Sequence, residues 1–176
     1  MPEASTLLNT WENFYVIIGS SAGALTGLQF VVIALIAERR AARTMTEIRA
    51  FGTPTLMHFC AVLLISGIAS TPWHSLSDAA WWVGICGVAG ASYMVRVILH
   101  TRKQTAYSPD AGDWFWYTAL PFAAYVMLLV AGIIMAAKVA TGLFVMAASA
   151  LALLFDGIHN AWDTVTYIAL KHRSNE

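Results

Sequence analysis

The chain has 176 residues, of which 59% are hydrophobic and only 11% charged, with 10 Lys+Arg balanced by 10 Asp+Glu. A soluble domain carries about 25% charged residues, so this composition argues against an ordinary water-soluble globule. Zero net charge leaves no global bias toward nucleic acid or an acidic partner.

The apolar residues fall in long runs separated by short polar stretches, the pattern of a polytopic membrane protein. A bilayer core of about 30 Å needs about 20 helical residues, and five runs qualify. They are read as 13–37, 53–69, 79–99, 113–137 and 141–170. The expected fold is all-α, one transmembrane helical bundle of five spans covering residues 1–176. No Lys or Arg precedes the first run, so no basic leader is read and the first helix is expected to be retained.

Span one carries Gly19, Gly23 and Gly27 at intervals of four, among Ser20, Ser21, Ala22 and Ala24. Small residues on one face let another helix backbone approach closely. That face is expected to pack within the bundle, to form a subunit interface, or both. The loop that follows holds Arg39, Arg40, Arg43 and Arg49.

Span two begins with Thr53-Pro54, an N-cap followed by proline at the first helical position, and stops before Pro72. Asp78 is expected to cap span three and Asp113 span four. Span three repeats the small-residue theme with Gly84, Gly87 and Gly90, and Arg102 and Lys103 follow it. Pro121 lies inside span four and is expected to kink it. Cys60 and Cys86 sit in apolar runs, without zinc or redox spacing, and read as small buried hydrophobes.

Basic residues set the expected orientation. Nine of the ten lie in, or close to, the loops after spans one and three and the C-terminal tail; Lys138 alone falls on the opposite side. This places the N-terminus outside and the C-terminus inside. Trp11, Trp73, Trp81 and Trp82 then fall at the outer interface, and Trp114 and Trp116 at the inner one, as an aromatic belt requires.

Span five supplies the main functional lead. After the uncharged run 141–155 comes Asp156-Gly-Ile-His159-Asn160-Ala-Trp-Asp163. At about 100° per residue, Asp156, His159, Asn160, Asp163 and Tyr167 fall within about 100° of one another, so they form one face of a helix. Ionisable groups at that depth are costly and generally have a partner or a task. Asp156 and Arg96 each lie about sixteen residues from the outer start of their spans, about 24 Å down at 1.5 Å per residue. Gln29 reaches a similar level, and His58 sits somewhat higher. Arg96 and Asp156 are therefore the expected ion pair, unless Arg96 snorkels to the headgroups.

The Asp156-x-x-His159 spacing, with Asp163, also allows a shared metal, though such sites want a second motif on a facing helix, and none is seen. Haem ligation by two of His58, His100 and His159 fits less well, because only His100 and His159 match in depth and no C-x-x-C-H motif occurs. No nucleophile elbow or phosphate-cradling glycine loop is present.

The segment Trp11-Glu-Asn-Phe14-Tyr-Val16, followed by Ala22-Gly-Ala-Leu-Thr-Gly-Leu-Gln-Phe-Val31, resembles the opening helix of a group of small uncharacterised bacterial membrane proteins. It lies within residues 11–31 and excludes the Asp156 stripe. The resemblance implies a multi-pass protein of the bacterial inner membrane and carries no activity with it.

Three functions are weighed. The first is a homo-oligomeric ion or small-solute channel or transporter, with a polar path through Gln29, His58, Arg96, Asp156, His159, Asn160 and Asp163. The second is a membrane scaffold or accessory subunit whose polar network is structural. The third is a metal- or haem-dependent membrane enzyme using His159 and the two acids. Lipid is the expected environment, and no cofactor or nucleic-acid partner is implied.

Overall fold

The structure is a computed structural model and describes residues 2–39, 53–101 and 111–173, with side chains for 9–34, 53–99 and 112–166. Among the described residues the chain forms helices and short turns, with no strand. The helices are α1 (Pro2–Arg39), α2 (Thr53–Ser70), α3 (Leu76–Thr101), α4 and α5 (Val139–Arg173). α4 is built of Ala111–Trp114, a π-helical turn Phe115–Ala119, and Leu120–Met135. Each of the five contains a stretch long and apolar enough to cross a membrane. The five apolar helices expected from the sequence are therefore present in that order among the described residues, which have the make-up of a multi-pass membrane protein. The basic loop residues Arg40, Arg43, Arg49, Arg102 and Lys103, and the side chains of Arg39, His100, Tyr167, Lys171 and Arg173, lie outside the described residues.

The helix starts differ from expectation. α1 is helical from Pro2, well before residue 13. α3 starts at Leu76, so Asp78 lies inside its first turn. The cap is instead Ser75, whose hydroxyl accepts from the Ser77 amide at 3.2 Å. Asp113 likewise lies inside the first turn of α4 rather than before it, where an acid favours the helix dipole. The stop before Pro72 is as expected, and the Trp73 indole N–H ties the end of α2 by donating to the Ile68 carbonyl at 2.7 Å.

Pro121 distorts α4 as its chemistry requires. A proline inside a helix lacks an N–H and crowds the carbonyl four residues back. The chain widens by one residue just before it. The Leu120 amide reaches back five residues to the Phe115 carbonyl, which is the π-turn bond. The expected kink is therefore a π-turn, and it carries Trp116 and Tyr117.

Packing follows the small residues. α2, α4 and α5 carry the greatest share of buried residues, while α1 packs chiefly on α2 and α3 chiefly on α4. The α3–α4 seam is antiparallel and close. A Cβ on Gly87 would strike the backbone of Leu129, one on Gly90 would strike the Tyr125 ring, and one on Gly132 would lie 2.8 Å from the Ala80 carbonyl oxygen and the Gly84 amide nitrogen. On α1 the glycine stripe is used unevenly. A Cβ on Gly19 would come 2.7 Å from Ser66 Cβ of α2, one on Gly23 would make ordinary contact with Leu63, and one on Gly27 would meet nothing within 4 Å. Among the described residues only the first of the three is committed to close packing.

The core is apolar, with Val62, Leu128, Leu143, Met146 and Leu153 among its fully buried side chains. Many large apolar residues point outward instead, including Ile17, Leu28, Ile133, Phe144 and Phe155. A surface of this kind suits hydrocarbon rather than water.

Candidate functional site

The polar face of α5 splits by depth into a buried part and an exposed part. Asp156 and Asn160 are buried, at 0% and 1% exposure. His159 is half-buried, and Asp163 is exposed. The spacing of four between Asp156 and Asn160 brings their side chains together. Asn160 Nδ2 donates to Asp156 Oδ2 at 3.2 Å. Asn160 Oδ1 then faces His159 Nδ1 at 3.3 Å. The amide therefore bridges the carboxylate and the imidazole.

The partner of Asp156 is His58 of α2, and this corrects the expectation that it is Arg96. His58 Nε2 lies 3.5 Å from Asp156 Oδ2, and both side chains are buried. Arg96 is exposed on α3, a helix packed chiefly against α4 rather than α5. Counting residues along a span gives a height and no direction, and the direction of Arg96 is outward. Long basic side chains lie readily along an apolar surface with the charge at its edge, which accords with the snorkelling alternative.

His58 is held from its other side as well. Its Nδ1 lies 3.0 Å from the Tyr125 hydroxyl of α4. Two glycines make this possible. Gly90 leaves the space in α3 that the Tyr125 ring fills, and Gly157, beside Asp156, leaves space for the Phe59 ring beside His58. Ser149 adds a further tie between α4 and α5, donating to the Ala124 carbonyl at 2.6 Å. The result is a row of polar groups, Tyr125–His58–Asp156–Asn160–His159, drawn from three helices.

The electrostatics of this row are unusual. A lone carboxylate buried among apolar side chains carries a large desolvation cost, and a removed partner leaves that cost uncompensated. With one proton shared between them, Asp156 and His58 are neutral as a pair wherever that proton sits. The second carboxylate oxygen, Asp156 Oδ1, is buried and accepts no hydrogen bond from the described residues. Buried polar atoms are seldom left so, and the usual reasons are strain, a chemical role, or a water or ion held there. The hydroxyls of Tyr15 and Ser66 share this condition among the described residues.

The row reaches the surface at the π-turn. The Trp116 indole stacks on the His159 imidazole, with centroids 3.9 Å apart and planes 10° from parallel. The next residue, Tyr117, donates its hydroxyl to Asp163 Oδ2 at 2.8 Å. Consecutive residues of α4 thus grip two residues of α5 one turn apart.

The remaining expectations fare differently. Gln29 is buried on α1, and among the described residues no hydrogen bond joins it to the Asp156 row. Asp156, His159 and Asp163 share a face but do not converge, since Asp163 is taken by Tyr117 and His159 by Trp116 and Asn160. Among the described residues no group of three His, Cys, Asp or Glu side chains has the geometry to hold a metal ion. Both nitrogens of His58 are engaged, which argues against its use as a haem ligand, and the His100 side chain is outside the described residues. Cys60 is exposed and Cys86 half-buried, so neither is the buried hydrophobe expected.

Sequence reasoning did not include Tyr125, Trp116 or Tyr117 in the site. The one available signal was the placement of Trp116 and Tyr117 just before Pro121, where a widened turn re-aims side chains. Comparisons with protein-family models, with curated proteins and with solved structures found no match.

Proposed function

We propose that this protein spans a membrane five times and moves protons, through a relay centred on Asp156 and His58. The N-terminus lies outside, the C-terminus inside, and the Asp163 end of the relay opens toward the inner face. The observation that carries this reading is Asp156 itself, wholly buried, 3.5 Å from His58 and with one oxygen unbonded among the described residues. Acid–histidine rows inside membrane bundles are a recurrent way of passing protons.

The chemistry is a balanced exchange. A proton moves from Nε2 of a protonated His58 to Asp156 Oδ2, turning an imidazolium–carboxylate pair into a neutral imidazole and a carboxylic acid, while Nδ1 keeps its proton and its hydrogen bond to the Tyr125 hydroxyl. No net charge is created in the core at any stage. The 3.5 Å separation is long for transfer, and such contacts commonly tighten in the working state. Asn160 orients both neighbours, donating to the Asp156 carboxylate and facing His159 Nδ1 with its oxygen. Because an amide does not itself pass a proton, a bridging water carries it from Asp156 to His159, which exchanges it with the aqueous end. A packed row of hydrogen-bonding groups favours protons over larger solutes, because it needs no open channel.

The test is proton flux into liposomes carrying the purified protein and a pH-sensitive dye. Asp156→Asn keeps the side-chain shape and abolishes proton exchange at that position, so flux is expected to fall to the level of empty liposomes. Wild-type flux no higher than that of empty liposomes overturns the proposal.

One observation favours a second reading, a scaffold or accessory subunit with a structural network. The row is closed within one chain, and glycine contacts at Gly90 and Gly157 clamp it. On that reading Asp156→Asn lowers thermal stability and flux is absent throughout. In either case a homo-oligomer in a bacterial inner membrane is proposed, with the uncommitted Gly23 and Gly27 part of the α1 stripe as its contact face.

A further inference from the structure

The two contacts made by the π-turn have no role in the relay as described so far. Trp116 covers the face of His159, and Tyr117 holds Asp163, an exposed acid one turn further along α5. Both come from one five-residue turn, Phe115–Ala119, whose extra residue is imposed by Pro121. π-turns of this kind cluster at functional sites, because one added residue rotates the preceding side chains against the rest of the helix. His159 is half-buried, while His58 is fully buried and His74 is exposed, so the chain carries its own reference points for access.

We propose that Trp116 is the gate of the relay, a positioning residue that controls the access of water to His159. This rests on the relay reading given above. With the π-turn in place the indole closes one face of the imidazole, and Tyr117 keeps the Asp163 carboxylate turned away from it. When the turn straightens toward α-helical geometry, Trp116 and Tyr117 swing together, and His159 and Asp163 are released at once. Pro121 holds the closed form, since a regular α-helix there would drive its ring into the Tyr117 carbonyl.

The test is residue-resolved hydrogen–deuterium exchange at the C2 position of the histidines, read by mass spectrometry on the full chain in lipid nanodiscs. In the wild type, His159 is expected to exchange more slowly than His74 and faster than His58, following their exposure. Trp116→Ala is expected to raise exchange at His159 by about two- to twelvefold, the factor that an aromatic stack is worth, with His58 and His74 unchanged. Trp116→Phe keeps a ring over the imidazole and restores most of the protection. Pro121→Ala, which removes the ring that disfavours a regular α-helical turn there, is expected to raise His159 exchange as well.

Unchanged His159 exchange in Trp116→Ala overturns the gate, and so does a parallel rise at His58, which signals general loosening. In liposomes the Trp116→Ala variant is expected to conduct protons faster than the wild type. If the wild type conducts none, the relay reading fails by that measurement, and the control of His159 access by Trp116 is still decided by the exchange data.

Discussion

The close fit of Tyr125 against Gly90 yields a prediction with a calculable size. A Cβ built on Gly90 would overlap three atoms of the Tyr125 ring. The ring is buried and cannot move freely, and overpacking of this kind costs about 1–3 kcal/mol. Its displacement also draws the hydroxyl away from His58 Nδ1, now at 3.0 Å. A lost hydrogen bond in such a setting adds about 0.5–1.5 kcal/mol. Gly90→Ala should therefore destabilise the protein by about 2–4 kcal/mol. For a chain of this length that corresponds to a fall of about 5–15 °C in melting temperature.

Gly67→Ala is the matched control, because its Cβ would meet nothing within 4 Å among the described residues. There the gain in helix propensity is worth about 0.5–1 kcal/mol, so the melting temperature should hold or rise slightly. Both are read by thermal melting of detergent-solubilised protein, followed by near-UV circular dichroism. If Gly90→Ala melts like the wild type, the α3–α4 seam does not position Tyr125 as described. If both variants fall equally, the effect belongs to helical glycine in general and the packing argument fails.

Arg96→Gln should change melting by no more than an ordinary surface substitution, about 0.5 kcal/mol, because Arg96 is not the partner of Asp156; a loss matching that of Asp156→Asn would restore the Arg96–Asp156 pairing. The hydroxyls of Tyr15 and Ser66 are buried without hydrogen-bond partners among the described residues, so Tyr15→Phe and Ser66→Ala should each be neutral or stabilising. A drop in melting temperature for either variant contradicts that. Gly27→Ile adds bulk where none of the described residues stands within 4 Å, so it should leave melting of the single chain intact. It should dissociate the proposed oligomer, as measured by light scattering in detergent, and an unchanged mass rules that face out.

Much of the architecture was legible because hydrophobicity along the chain is a one-dimensional property. Five apolar runs of sufficient length predict five helices wherever they sit, and the proline at 121 predicts a distortion of the fourth. The Asp156–Asn160 contact was legible too, since a spacing of four on one helix is local geometry. The partner of Asp156 was not. Arg96 and Asp156 agree in height counted along their spans, yet Arg96 points away from α5 while His58 points toward it. Height itself carried an error for His58, which was expected higher and instead meets Asp156.

Composition and periodicity alone determined that this is an all-helical chain with five helices fit for a membrane and one polar face on the last of them. Those properties arise within each segment, from residue hydropathy and the 3.6-residue turn. Tertiary structure alone decided which polar groups meet. The glycines at 87, 90 and 132 let α3 and α4 approach closely, and that contact delivers Tyr125 to His58. The π-turn before Pro121 lays Trp116 on His159 of α5. Each of these depends on how one helix is rotated against another, which is set by packing between segments distant in the chain.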